Sequence, residues 1–396
     1  MRRWAVLAIA VSACATWLAP ATSAEDGPPG TTTPVESERA GDPWVQVSTG
    51  GGYSCGVRAS HHLFCWGIDQ NGTLGDGEPR ASRSSPSEVV GPAAWAEVSA
   101  GLVHACGITT ARRLFCWGAN TKGQLGIGTT SSWEPTPVEV AGRWTNWASV
   151  SAGYTSTCGV TTTHRLYCWG HDRWGQLGNG TVRIRRERPT EVAGGSQDWR
   201  DVSAGYQHAC ARTVTRRLYC WGSDFAGQLG DGGELPGPIV ATPTEVAGGD
   251  TDWGPVHVGF YHSCARKVDG RLMCWGDDGH DQLGDSGSAD QASPVDVPFP
   301  GADPGGWAFV DAGDVGTCAG GADHRLWCWG QSTGGPYPTP VEAPGSHDDW
   351  ATVSSHGYHT CGLRSGQRLF CWGSDAHGQV GNGLPRANEP APVRIP

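Results

Sequence analysis

The chain holds 396 residues, with 28 Lys and Arg against 39 Asp and Glu, for a net charge of −11. That balance excludes electrostatic attraction to DNA, RNA or an anionic membrane as its organising role, because those partners demand a basic surface. With 61 glycines, 27 prolines, 15 cysteines and 20 tryptophans, and no convincing helical period, the composition points to short strands and tight turns.

At the start, Met1-Arg2-Arg3 leads into an apolar run from Trp4 to Leu18, followed by Ala21-Thr22-Ser23-Ala24. A charged start, a short hydrophobic stretch and small residues at the cleavage site read as a secretory signal over 1–24, cut after Ala24. The run is too short to span a bilayer, and no later segment qualifies, so no transmembrane span is expected. Val11-Ser12-Ala13-Cys14 offers an alternative, a lipoprotein-type box with a lipid anchor on Cys14. Residues 25–43, rich in Pro, Thr, Gly and acidic groups, read as a disordered linker. The remainder, 44–396, is one repeat array and therefore one domain.

A 24-residue block beginning at Trp44 recurs seven times. It opens at Trp44, Trp95, Trp147, Trp199, Trp253, Trp307 and Trp350, and ends in a Cys-Trp-Gly built on Trp66, Trp117, Trp169, Trp221, Trp275, Trp329 and Trp372. Within each unit the spacing predicts four strands. The first is typified by Trp44-Val45-Gln46-Val47, and the next two form a hairpin bearing the cysteines. A Gly-rich turn such as Gly123-Gln124-Leu125-Gly126 follows, and a fourth strand comes after a proline, as in Pro137-Val138-Glu139-Val140. Four short strands repeated seven times predict an all-β, seven-bladed β-propeller.

Fourteen cysteines fall into couples of constant spacing: Cys55 with Cys65, Cys106 with Cys116, Cys158 with Cys168, Cys210 with Cys220, Cys264 with Cys274, Cys318 with Cys328, and Cys361 with Cys371. An even count at one spacing behind an export signal argues for disulfides, one per blade. Nine intervening residues match no usual zinc-ligand spacing. Folding the hairpin symmetrically about Ser60 sets Cys55 opposite Cys65, where Cα atoms about 4.5 Å apart admit a disulfide.

The run from Trp95 through Val98, Gly101, His104 and Cys106, followed by Leu114-Phe-Cys-Trp-Gly118 and Gly123-Gln-Leu-Gly126, resembles the regulator-of-chromosome-condensation repeat. The resemblance covers 44–396. Unit six departs from it, reading Gln331-Ser-Thr-Gly-Gly335 where the Gly-Gln-Leu-Gly turn is expected. The family's namesake is a nucleotide-exchange factor that acts on a small GTPase through one propeller face and a projecting insertion. Here the segments between blocks are short, and no comparable insertion is expected. The architecture also resembles β-lactamase inhibitory protein II, a secreted bacterial propeller that blocks an enzyme with loop aromatics on one face. A cysteine couple in every blade is unlike the intracellular members and suits an oxidising, extracytoplasmic location.

Several motifs resolve into repeat chemistry. Gly52-Tyr53-Ser54-Cys55-Gly56 matches a serine-hydrolase elbow, yet it lies in a hairpin, and other units put Ala or Thr at the serine. His104, His208, His262 and His359 share one repeat position and read as structural hydrogen-bonding groups rather than metal ligands. The acidic turns at Asp76, Asp231 and Asp285 lack the alternating oxygen ligands of a calcium loop. No unit carries an acid, base or nucleophile absent from its siblings, so no catalytic residue, metal or cofactor is expected. Trp133, Trp144 and Trp174 stand outside the tryptophan pattern. With Phe225, Arg183, Arg185, Arg186 and Arg188 they form the expected partner-binding surface, since Trp and Arg anchor protein interfaces. The sequence thus predicts an exported, monomeric, non-catalytic propeller that binds a partner protein. The alternatives are an exchange-factor-like regulator by family analogy and a cell-envelope or carbohydrate-binding module.

Overall fold

The computed structural model describes residues 41–396, except 79, 93, 195–197, 302–304, 333–334, 346 and 385–386. The signal, Cys14 and most of the 25–43 linker therefore lie outside the described residues. Blade 1 comprises β1 (Trp44–Thr49), β2 (Tyr53–Arg58), β3 (Leu63–Gly67) and β4 (Arg83–Glu88), paired in that order as one antiparallel sheet. The same four-strand order repeats to give seven sheets. The seven-bladed, all-β reading is correct.

Each blade is held at its centre by the cysteine hairpin. Cys55 lies directly opposite Cys65 in the β2–β3 register. The same register sets Cys106 opposite Cys116, Cys158 opposite Cys168 and Cys210 opposite Cys220. It likewise sets Cys264 opposite Cys274, Cys318 opposite Cys328 and Cys361 opposite Cys371. All seven expected disulfides form, with Cα atoms 4.0–4.1 Å apart, slightly closer than the spacing of about 4.5 Å expected from the hairpin alone. The opening and closing tryptophans of one blade meet at ring-centroid distances of 5.6–6.2 Å.

The seams between blades are where most of the apolar surface is buried. One core joins Val57, Leu63 and Leu74 of blade 1 to Trp95, Val98 and Trp117 of blade 2. Trp117 Nε1 donates to Thr73 O at 3.0 Å across that seam, and Trp169 Nε1 donates to Gln124 O at 2.9 Å across the next. The Gly-Gln-Leu-Gly turn thus caps the tryptophan of the following blade. Its leucine is anchored by a carboxylate, as where Leu177 N donates to Asp172 Oδ1 at 3.2 Å. The ring closes by packing of blade 7 against blade 1 through a shared apolar core, with blade 7 built wholly from the C-terminal strands. Trp66 Nε1 donates to Gln379 O at 3.0 Å, and Trp44 Nε1 to Pro396 O at 3.3 Å.

The four repeat histidines serve these seams. His104 Nε2 lies 2.8 Å from Thr157 Oγ1 of the next blade, and that hydroxyl donates to Gln124 O at 2.8 Å. The hydroxyl's proton is therefore committed, so the imidazole Nε2 is the donor. Burial pushes the pKa of His104, His208, His262 and His359 down to about 3, which keeps all four neutral. Ser54 is one of these receiving hydroxyls, fully buried, with His359 Nε2 at 2.8 Å. Its hydrolase-like motif is repeat packing.

Inner strands line a central channel and are stitched by a ring of serines. Ala100 N donates to Ser48 Oγ at 3.0 Å, Ala152 N to Ser99 Oγ at 2.9 Å, and Ala204 N to Ser151 Oγ at 2.9 Å. Two longer side chains add to the stitching. The Gln46 amide pairs with both the N–H and the C=O of Val98, at 2.9 and 3.1 Å. Glu97 accepts from Val150 N at 3.1 Å, and burial pushes its pKa up to about 7.

A raised carboxyl pKa means the folded state retains its proton where the unfolded state has lost it, so stability falls as pH rises from about 4.5 to about 7. Glu97→Gln should abolish its share of that loss, at most about 3 kcal/mol. Urea unfolding of both proteins at pH 5 and pH 8 measures it. The variant should gain on the wild type only at the higher pH; a constant difference would contradict the assignment.

Candidate functional site

Chain direction distributes the loops between two faces. Turns joining first to second strands, and the long loops joining third to fourth strands, lie together at one end of the blades, called here the loop face. The Cys-hairpin turns and the connections between blades lie at the other.

On the loop face, Trp133 begins the fourth strand of blade 2, half-buried, with the Arg80 guanidinium carbon 5.1 Å from its ring centroid. Trp174 lies in the long loop of blade 3, half-buried, with Arg173 at 5.2 Å. Phe225, in the corresponding loop of blade 4, is 71% exposed. Arg183 and Arg185 are exposed nearby, and Arg185 pairs with Glu187 at 3.3 Å. Arg186 opens the fourth strand of blade 3, half-buried. Lys122 and Arg173 add to the burial that lowers the His171 pKa, so blades 2 and 3 present a locally positive rim.

The remaining two expected residues separate. Arg188 is exposed on the fourth strand of blade 3 and lies over the Gly128 turn of blade 2, where a Cβ would meet its guanidinium at 2.7 Å, so it stays with the loop face. Trp144 follows the fourth strand of blade 2 and is therefore at the opposite face. There it stacks on Trp147 with centroids 5.3 Å apart and meets Tyr167 at 4.7 Å. Its membership of the surface is corrected: closeness in sequence to Trp133 does not place it at the same strand end.

The channel mouth on the loop face holds residues the tryptophan pattern did not expose. Tyr154, Tyr206 and Phe260, from blades 3, 4 and 5, form a contiguous cluster, with centroids 4.5 Å apart for Tyr154–Tyr206 and 5.2 Å for Tyr206–Phe260. They border a cavity of about 460 Å³ along the channel axis.

Four further side chains break the repeat in one sector of that cavity. In the inner strands of blade 5 (β17, Trp253–Val258) and blade 6 (β21, Trp307–Ala312), His257 and Asp311 replace the ring serine. Asp314 stands where blades 3 to 5 have Tyr or Phe, and His356, ending the inner strand of blade 7 (β25, Trp350–His356), stands where blades 1 to 6 have Gly. His257 Nδ1 lies 2.9 Å from Asp311 Oδ1, and Ser355 N donates to Asp311 Oδ2 at 2.6 Å. Asp314 Oδ1 lies 3.3 Å from His356 Nε2. The expectation that no unit carries acids or bases absent from its siblings is therefore corrected. Aligning the units on their inner strands, Val98-Ser99-Ala100 against Val256-His257-Val258 and Val310-Asp311-Ala312, carries that signal. Among the described residues, no group of three or more His, Cys, Asp or Glu is placed to hold a metal ion.

Seven tryptophan-stapled blades, Gly-Gln-Leu-Gly seam turns and a ring closed without a shared blade define a repeat propeller of one particular type. A model of the RCC1-like domain matches residues 22–337 and a model of the regulator of chromosome condensation (RCC1) repeat matches 352–379, so the chain belongs to the RCC1 family. The ultraviolet-B receptor UVR8 of Arabidopsis thaliana is 30% identical over 296 residues, covering 74% of this chain and 66% of the receptor. The chain thus spans just under two thirds of that relative. Human WBSCR16 superposes with a TM-score of 0.75 at 19% identity, covering 85% of this chain and 94% of its own. Prp20p of Saccharomyces cerevisiae gives 0.72 at 18%, covering 84% and 85%. These two structures establish the likeness of fold.

Proposed function

We propose that the chain is an exported, non-catalytic propeller that binds a partner protein through its loop face. The observation that carries this reading is the size of the exposed apolar side chains there: Ile184, Phe225, Leu235, Ile239, Tyr358 and Leu384, all at least 38% exposed, belong to that face, whereas the exposed Val45, Val90, Val214, Val268 and Val341 elsewhere are all valines. Arginine beside Trp133 and Trp174, and the aromatic channel mouth, extend the same surface. Aromatic and guanidinium groups together are what protein interfaces use as anchors. Prp20p, whose structure was determined together with its binding properties to Gsp1p and histones, supports the role by likeness of fold. Seven buried disulfides support an oxidising location, and no helix among the described residues is long and apolar enough to cross a membrane.

The test is affinity capture from envelope and secreted fractions with two double variants. Trp174→Ala/Phe225→Ala alters the loop face, and Val214→Ala/Val268→Ala alters exposed positions on the other. A partner held by wild type and the second variant, but weakened at least about tenfold by the first, is the expected result. Equal retention by both variants would remove the loop face from the account.

A further inference from the structure

The channel mouth has a chemistry of its own that partner binding does not require. Three carboxylates, Glu97, Asp311 and Asp314, line the cavity, and none of its described lining residues is Lys or Arg. Two of the three are committed. Glu97 holds the blade 2–blade 3 seam, and Asp311 has one oxygen on His257 and the other on the Ser355 N–H. Asp314 differs. Its Oδ1 is buried and makes no hydrogen bond, and lies at ion-pair distance, 3.3 Å, from His356 Nε2. Its charge reaches Tyr154, whose phenol it helps to push up, and the Phe260 ring lies 6.3 Å from His356. The Asp314 carboxylate, paired on its buried side with His356 and 13% exposed, thus lies beside aromatic rings at the end of the cavity.

We propose that this mouth binds an alkylammonium or guanidinium cation, with Asp314 as counter-ion and the Tyr154 and Phe260 rings against the charged head. A cation is attracted by both a carboxylate and the negative face of an aromatic ring, whereas an anion is repelled by both. A neutral polyol would meet only the hydroxyl protons of Ser48, Ser99, Ser151, Ser203 and Ser354, whose oxygens already accept backbone N–H groups, and would gain nothing from the Asp314 charge. Val258 and Ala312, behind the mouth, offer apolar wall for an alkyl stem. The cation is either a free amine or the Lys or Arg side chain of a bound protein. The site stands on the channel's own residues and would survive failure of the partner-binding reading.

Calorimetric titration of the propeller with cadaverine, agmatine and N-acetyl-lysine-methylamide tests it, with 1-pentanol as the neutral comparison. The three cations should bind and pentanol should not. Asp314→Asn should weaken binding at least about tenfold, and Phe260→Leu, which keeps apolar volume but removes the ring, about threefold. A capped lysine binding as well as cadaverine assigns the site to a partner's side chain; a clear preference for cadaverine or agmatine assigns it to a free amine. Trp174→Ala/Phe225→Ala should leave all of these affinities unchanged. Absence of binding by every cation at about 10 mM, or unaltered affinity in Phe260→Leu and Asp314→Asn, would overturn the proposal.

Discussion

Complete reduction of the seven disulfides should unfold the propeller at room temperature. Each closes a loop with a sequence separation of 10, a constraint on the unfolded chain of roughly 3 kcal/mol by chain entropy. Even a sum that is only half additive would reach the roughly 5–15 kcal/mol net stability of a typical domain. The blades differ in how readily the bridges are reached. Cys328 is 7% exposed, whereas the other thirteen bridged cysteines are fully buried, so Cys318–Cys328 should open first under limiting reductant. Thiol labelling followed by peptide mass mapping gives the order, and near-ultraviolet circular dichroism follows the fold. A fully reduced chain with an unchanged melting temperature would contradict this assignment of stability.

The second large effect belongs to a seam. Gly126 has φ +69°, and a Cβ there would lie 2.5 Å from Trp169 Nε1, the group that donates to Gln124 O. Gly126→Ala combines left-handed backbone strain with overpacking against a rigid buried indole, for a cost of about 2–4 kcal/mol. Gly383 isolates the first component. Its φ is +73°, yet nothing lies within 4 Å of its Cβ position, so Gly383→Ala should cost only about 1 kcal/mol. Urea unfolding of the two variants measures the difference. Equal losses would mean that the seam yields and that Trp169 is not held as described.

The elements legible in the sequence were those the repeat enforces locally. A cysteine hairpin closes within a dozen residues, so register about Ser60 sufficed to pair Cys55 with Cys65, and periodicity of the tryptophans sufficed for the blade count. What spacing along the chain does not report is which end of a strand a loop residue occupies, so Trp133 and Trp144, eleven positions apart, lie at opposite faces. The channel sector is hidden from the sequence for a related reason. His257, Asp311, Asp314 and His356 are separated by up to 99 positions in sequence and meet only because consecutive inner strands share one wall. Tyr154, Tyr206 and Phe260 lie outside any tryptophan pattern, because the mouth is built from tyrosine and phenylalanine.

The most direct measurement of the loop-face account is hydroxyl-radical footprinting of the propeller, free and with its captured partner. Protection is expected at Trp174, Tyr206, Phe225 and Tyr358, with Val214 and Val268 at the opposite face unchanged. Protection confined to that opposite face would contradict the account.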